Sequence, residues 1–177
     1  VYGIDNNERE KFFGPNGSTL IVKRNLIKNI KNYNHLNIDI TKSRKISDII
    51  EKLKPKDIVH CAAQPSHDYA SKIPLRDYDV NARSTINLME SVRNFSKKST
   101  VVFFSTNKVY GDNPNNLKFN EKKLRFDFKE REYQQGISEN FNVDNCTHSL
   151  FGVSKLSADL VVQEYGRYFD IKTCCLR

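Results

Sequence analysis

Phe151 and Lys155 stand four positions apart in the stretch His148-Ser149-Leu150-Phe151-Gly152-Val153-Ser154-Lys155. On a helix that spacing puts the ring and the ammonium on one face. The lysine offers a positive charge and N–H donors, whereas the phenylalanine has no proton to exchange and can only shape its surroundings. His148, whose imidazole can both accept and donate a proton, is a candidate for moving a proton, with a helix-capping or core position as its alternative. Ser105 and Thr106 follow an apolar run, Thr100 to Phe104, and end it in two small hydroxyl side chains. Asp5 ends a second apolar run, Val1-Tyr2-Gly3-Ile4, with a carboxylate.

The elements that must position these groups alternate. Ile46, Ile49, Ile50 and Leu53 have the i, i+3, i+4, i+7 spacing of one helical face, and Pro55 closes that helix. Asp57 to Ala63 reads as a short apolar strand. A helix over 76–95 carries Val80, Leu88, Met89 and Val92 toward a core, and the buried strand from Thr100 follows. A helix over 149–169 leads into a last strand over 171–176. This rhythm predicts an α/β chain with a parallel sheet and right-handed crossovers. Residues 111–147 break it: they lack sustained periodicity and are rich in Asn, Lys, Glu and aromatics. They form either a surface excursion or a loop over the carboxyl end of the Thr100 strand, on the substrate side.

Taken together, Asp5-Asn6-Asn7, His60-Cys61-Ala62-Ala63-Gln64, Asn81, 105–111 and 148–155 resemble the extended short-chain dehydrogenase/reductase family, the NAD-dependent nucleotide-sugar epimerases and dehydratases. Within it, 105–112, His148-Ser149 and 163–169 are similar to the branch of CDP-tyvelose (CDP-paratose 2-) epimerases. The resemblance implies a Rossmann-type doubly wound parallel sheet truncated at both ends. The first strand, the glycine-rich turn and the first helix are expected upstream of Val1, and a substrate-binding part downstream of Arg177, so 1–177 is expected to be part of an NAD-binding domain. None of the glycines forms the three-glycine fingerprint, and Gly14-Pro15-Asn16-Gly17 reads as a turn.

The resemblance also assigns roles. Asp5 would accept hydrogen bonds from the adenosine ribose hydroxyls and repel a 2′-phosphate, favouring NAD over NADP, with Asn6 assisting and Asn7 and Arg9 weaker candidates. Asp39 and Ile40 would meet adenine. Ala62, Ala63 and Gln64 would let the backbone approach the pyrophosphate and nicotinamide ribose, and Ser105 would contact the cofactor. Asn81 matches a buried structural asparagine, and Tyr110 is a packing residue of its turn. Thr106 would hydrogen-bond the reacting sugar oxygen, and Lys155 would bind the nicotinamide ribose. Phe151 occupies the position of the family's tyrosine, whose pKa the lysine lowers. Proton transfer is then left to His148, to a water held by Lys155 and Thr106, or to a residue beyond Arg177. The implied reaction is epimerisation of a nucleotide-diphosphate sugar. A 4,6-dehydratase or another epimerase fits the same scaffold, and Phe151 also admits a non-catalytic NAD or sugar-nucleotide binder.

Composition narrows the classes. The net charge of +8 comes from dispersed lysines without an arginine-rich stripe or zinc module, which argues against nucleic acid as partner. No apolar stretch is long enough to span a membrane, and a cytoplasmic enzyme is expected. Cys61, Cys146, Cys174 and Cys175 lack metal or disulfide spacing, so reduced thiols and no metal are expected; Cys61 and the adjacent pair read as small apolar strand residues. A homodimer through the helix carrying Lys155 is implied by relatives.

Overall fold

The apolar runs form strands, and helices carry the chain between them. A computed structural model describes residues 1–177. Strand β1 (Tyr2–Ile4) runs parallel to β2 (Asn34–Leu36), with α1 (Arg9–Phe13) and α2 (Leu20–Asn29) between them. Helix α3 (Ser43–Leu53) leads to β3 (Asp57–His60). Helices α4 (His67–Lys72), α5 (Pro74–Tyr78) and α6 (Ser84–Phe95) lead to β4 (Thr100–Phe104). After the hairpin of β5 (Phe119–Glu121) and β6 (Phe126–Phe128), α7 (Leu150–Phe169) brings the chain to β7 (Lys172–Leu176).

Strands β3, β4 and β7 are parallel and in register, His60 beside Phe103 and Phe103 beside Cys175. Their carboxyl ends therefore deliver Cys61, Ser105 and Arg177 to one edge. The parallel strands form two pieces, β1-β2 and β3-β4-β7, rather than one continuous sheet. The unpaired edges of β1 and β3 border a common apolar cavity of about 660 Å³, onto which Ile46, Ile50, Leu53 and Leu88 also face. Val59, a β-branched strand residue, is left 62% exposed there. Strand β3 stops at His60, short of the Ala63 that the apolar run suggested.

The core is made where α3, α6 and α7 meet β4. Ile46 and Ile50, Leu88, Met89 and Val92, Val101 and Phe103, and Ala158 and Val162 bury their side chains together. The helix expected over 76–95 begins earlier, at Pro74, and contains a π turn, Asp79–Arg83, between α5 and α6. The hydroxyls of Ser84 and Thr85 bond back to the carbonyls of Val80 and Asn81. The widened turn keeps Val80, Asn81 and Ala82 all buried.

Residues 111–147 are tied down by aromatic contacts more than by regular structure. Tyr110 meets Phe141 edge-on at 5.7 Å, Phe141 meets Tyr133 at 5.6 Å, and Tyr133 meets Phe128 at 6.0 Å. Tyr110 itself is buried, as a packing residue should be. At the start of this segment Gly111 has φ +58°, and a Cβ there would lie 2.6 Å from Cys146 Sγ and 2.9 Å from the Thr147 carbonyl oxygen. A side chain is excluded both by backbone conformation and by space. Gly111→Ala should therefore destabilise the parent protein by about 1–3 kcal/mol in urea unfolding. An unchanged midpoint would contradict the close approach of 111 to 146–147.

Candidate functional site

One cavity of about 570 Å³ joins Asp5, Asn6, Asp39, Ile40, Ala62 and Ala63. The Asp5 carboxylate sits just past β1. Its Oδ1 accepts from the Asn7 backbone N–H at 2.8 Å and from the Thr19 hydroxyl at 2.7 Å, so the group is oriented while Oδ2 keeps its lone pairs for an incoming donor. Asn6 turns its amide oxygen to the Glu8 backbone N–H at 3.0 Å. Asn7 has φ 58°, a conformation asparagine tolerates better than most residues, and its Oδ1 caps the Thr19 N–H at 2.7 Å. Asp5, Asn6, Asp39, Ile40, Ala62 and Ala63 thus share a single concave surface, which Gln64, Ser105, Thr106 and Lys155 do not line.

The Asp39 side chain is engaged within the protein. It accepts from the Thr41 backbone N–H at 2.9 Å, the Thr41 hydroxyl at 2.8 Å and Arg76 at 2.6 Å. Burial would raise its pKa, but these bonds outweigh it and hold the carboxyl below its ordinary value. Arg76 also reaches Glu8 at 2.5 Å, so one guanidinium joins the loop after β1, the loop after β2 and α5. What Asp39 and Ile40 present to the cavity is therefore apolar surface and backbone more than a free carboxylate. Gln64 is fully buried: its side chain is bonded to Ser66 and Asp77, and its backbone N–H to Asn81 Oδ1 at 2.9 Å. Only the backbone turn that Gln64 fixes, at Ala62 and Ala63, borders the cavity.

At the end of β4, α7 supplies the remaining groups. Ser149 caps it, its hydroxyl accepting from the Gly152 N–H at 3.0 Å. Gly152 lets the 107–110 turn approach, since a Cβ would meet the Lys108 carbonyl oxygen at 3.0 Å. Lys155 Nζ donates to the Phe104 carbonyl at 2.7 Å and lies 4.2 Å from the centre of the Phe103 ring. Burial lowers its pKa to about 8, against the opposing pull of Asp159. His60 also lies within this charge's influence, pushed down to about 3 by burial and then by Lys155, and as a neutral ring donates its Nε2–H to the Thr85 hydroxyl at 2.9 Å, since that hydroxyl gives its own hydrogen to the Asn81 carbonyl. Phe151 is 8% exposed, packed on the same helix face.

Thr106 caps the 107–110 turn, its hydroxyl oxygen accepting from the Lys108 N–H at 3.3 Å, a long bond that leaves it available to a ligand. Ser105 is committed: its hydroxyl donates to Asp159 at 2.5 Å, leaving its backbone for a cofactor. Asp159, one turn after Lys155, is fully buried and bonded also to Gln163 at 2.6 Å and Arg177 at 2.8 Å. Burial works against its ionisation, yet the bonds from Arg177, Ser105 and Gln163 hold it below the usual carboxylate range. His148 Nε2 is 2.8 Å from the Val143 carbonyl and 3.3 Å from Cys146 Sγ, while its buried Nδ1 has no partner within the chain.

The sequence pattern does not single out Thr19, Arg76, Asp77 or Asp159. Asp159 is within its reach, lying at i+4 from Lys155 on the same predicted helix. Thr19 and Arg76 act across 14 and 37 residues of sequence, for which no local pattern exists. No three His, Cys, Asp or Glu side chains are grouped to hold a metal ion. No helix is long and apolar enough to cross a membrane. All four cysteines are free thiols; Cys61 and Cys174 are exposed rather than packed as small apolar residues, because they lie at the end of β3 and on the outer face of β7.

Residues 1–177 match the family model described as GDP-mannose 4,6 dehydratase. A CDP-paratose 2-epimerase from Salmonella typhi is 30% identical over 151 residues, which cover 85% of this chain and 43% of that protein. A UDP-glucose 4-epimerase from Mycoplasma genitalium is 24% identical over 78% of this chain and 36% of its own. In fold, the chain is similar to a dTDP-glucose 4,6-dehydratase from Streptomyces venezuelae with NAD bound, at TM-score 0.73 and 17% identity over 99% of this chain and 44% of that one. It is likewise similar to a UDP-Glc/GlcNAc 4-epimerase from Campylobacter jejuni, at TM-score 0.72 and 20% identity over the whole chain and 45% of that one. The chain thus spans less than half the length of each of these proteins.

Asp159 has a testable pH signature. Its folded pKa lies below the ordinary 3.8, so its ion pair stabilises the fold above about pH 4 and the contribution is lost as pH falls through the folded value. Asp159→Asn should cost the parent protein about 3 kcal/mol at pH 7 by leaving Arg177 unpaired, with the gap to wild type closing below pH 3.8. A gap independent of pH between 2 and 7, read by denaturant titration, would mean that the pair contributes through shape alone.

Proposed function

The chain belongs to the family of the GDP-mannose 4,6-dehydratase model, nucleotide-sugar epimerases and dehydratases of Rossmann-type fold, and we propose that its parent protein is an NAD-dependent nucleotide-sugar epimerase. The substrate we assign is CDP-paratose, on the similarity to the Salmonella typhi enzyme. The observation that carries the reading is the shared cavity with Asp5 Oδ2 open at one end and the turn at Ala62 and Ala63 at the other. It fits a dinucleotide: the oriented carboxylate suits ribose hydroxyls and disfavours a 2′-phosphate, and small residues admit the pyrophosphate. We assign the apolar cavity between β1 and β3 to a further parallel strand of the parent protein, preceding Val1 and carrying the glycine-rich turn.

Asp5, Ala62, Ala63 and Lys155 would hold NAD, which when bound would supply reversible hydride acceptance from the sugar. Toward that chemistry, Lys155 holds positive charge at the end of β4, with N–H groups beyond the one given to Phe104 for a ribose hydroxyl. Thr106 presents its hydroxyl to the reacting sugar oxygen and stabilises charge on it. Phe151 shapes the pocket beside Lys155 and supplies no proton. We place proton transfer on a water held between Lys155 and Thr106, and give His148 the task of fastening the 143–148 segment through its bond to Val143. The parent is read as a soluble cytoplasmic protein whose partner is the sugar nucleotide, with α7 as the face through which a homodimer would form.

Phe151 supports a second reading, a binder of NAD and sugar nucleotide without turnover. Under the enzymatic reading the parent epimerises a CDP-sugar, Phe151→Tyr changes its rate little, and Lys155→Ala or Thr106→Val each lower kcat about tenfold to a thousandfold. Activity should fall as pH rises through about 8, where the Lys155 charge is lost. Under the binding reading wild type is inert and Phe151→Tyr creates hydride exchange, seen as the near-ultraviolet absorbance of NADH. Asp5→Ala should weaken NAD binding and narrow the discrimination against NADP. Equal affinity of the wild-type parent for both cofactors would remove Asp5 from its role.

A further inference from the structure

The segment that leaves β1 after Asp5 closes on itself beside the dinucleotide cavity. Its two ends meet at Asn7, whose Oδ1 accepts the Thr19 N–H at 2.7 Å. Between them α1 and the turn at Pro15–Gly17 lie so close that a Cβ on the buried Gly17 would stand 2.7 Å from the Arg9 carbonyl oxygen. Residues 7–19 thus have the form of an Ω-loop, compact in itself and with its ends together. Gly14 makes the reversal after α1 at φ 67° and ψ −164°, a conformation that in practice only glycine takes.

Helix α1 turns one face to the cavity. Arg9, Phe12 and Phe13, spaced i, i+3 and i+4, all line it together with Glu8, whereas Glu10 and Lys11 do not. No residue of α1 is fully buried, and two side-chain contacts carry the loop onto the helices that follow the Ala62 and Ala63 turn. The Phe12 ring meets Tyr69 of α4 with centroids 5.0 Å apart, and the Glu8 carboxylate accepts from Arg76 of α5 at 2.5 and 3.2 Å. Both partners are firmly seated. Ser66 caps α4 by accepting the Tyr69 N–H at 3.1 Å, Ala70 is fully buried, and Arg76 is also held by Asp39 at 2.6 Å. The contacts therefore tie the Asp5 side of the cavity to the side formed by Ala62 and Ala63. Resting on the dinucleotide reading above, we propose that residues 7–19 are a strap over the cofactor, closed by Phe12 on Tyr69 and Glu8 on Arg76, whose opening sets how fast NAD enters and leaves.

Such a strap suits the proposed chemistry. Epimerisation gives the hydride back to the sugar it came from, so the cofactor ends each turnover in its starting oxidation state and need not be exchanged. A slow gate then costs no rate, and it keeps the reduced cofactor beside the oxidised sugar. One aromatic pair and one partly exposed ion pair are each weak enough to break often. Neither contact is made to the cofactor, so weakening one shifts opening in the empty and the loaded protein alike. Tyr69 does not line the cavity, and its substitution therefore separates gating from contact with the ligand.

The test reads binding rates and not the reaction, so it stands whether or not the parent turns over a sugar. In the complete parent protein, stopped-flow fluorescence of NADH gives its entry, and displacement of bound NADH by excess NAD gives its release. Tyr69→Leu should raise both rate constants about threefold to tenfold and leave Kd within about twofold, while Tyr69→Phe, which keeps the ring, should match wild type. Should Tyr69→Leu fail to fold, Phe12→Leu opens the same contact from the other side. Phe12 also lines the cavity, so release gains more than entry there, but entry must still rise about threefold. Unchanged rates in Tyr69→Leu, faster release alone in Tyr69→Leu, or unchanged entry in Phe12→Leu overturns the strap and leaves the pair as packing. A wild-type parent that binds no NADH overturns the dinucleotide reading itself, and the strap with it.

Discussion

The candidate site depends on how α7 is fastened across the carboxyl end of β4. Lys155 donates to the Phe104 carbonyl at 2.7 Å and Asp159, one turn later, receives the Ser105 hydroxyl at 2.5 Å. Two consecutive strand-end residues are thereby bonded to two side chains spaced by one helical turn. The spacing works because i and i+4 share a face, and Gly152 and Ala158 carry too little side chain to hold the helix off. Thr106, next in the chain, inherits its position from this clamp. Slack in either bond would move the ammonium and the Thr106 hydroxyl independently, and a site for one sugar oxygen requires them to move together.

The clamp also sorts the charges. Asp159 is matched by Arg177 and stays ionised in spite of burial, whereas Lys155 has no carboxylate at hydrogen-bond distance and its pKa falls to about 8. A matched buried pair holds structure, and an under-matched buried cation can respond to a ligand. On the far side of the cavity Arg76 is matched twice, by Glu8 and Asp39. It keeps the loops after β1 and β2 together where the two pieces of sheet do not share hydrogen bonds.

Much of this was legible in the sequence. The strand ends at Ile4 and Phe104 and the helix carrying Phe151 and Lys155 follow from apolar runs and i, i+4 spacing, and the mixed α/β class follows from their alternation, whereas the run from Asp57 continues to Ala63 and its strand stops at His60. The π turn at Asp79–Arg83 was not legible, because Val80, Leu88 and Val92 fit an uninterrupted helix nearly as well. Nor was the division of the sheet, since β1 and β3 each look like interior strands by composition. Asp5, Ala62 and Ala63, distant in sequence, come together on one cavity. The inward turn of Gln64 and the engagement of Asp39 by Arg76 depend on partners 13 and 37 residues away, where hydrogen bonding decides and periodicity says nothing.

The central claim is that one dinucleotide lies between Asp5 and Lys155 with its adenosine end at the carboxylate. A crystal structure of the complete parent protein with NAD and a CDP-sugar bound tests it most directly. The account predicts ribose hydroxyls on Asp5 Oδ2, the pyrophosphate against a glycine-rich turn and the Ala62 to Gln64 backbone, and the nicotinamide ribose within hydrogen-bond distance of Lys155 Nζ, with the sugar at Thr106. A nucleotide bound elsewhere, or one whose nicotinamide end points away from Lys155 and Thr106, would contradict it.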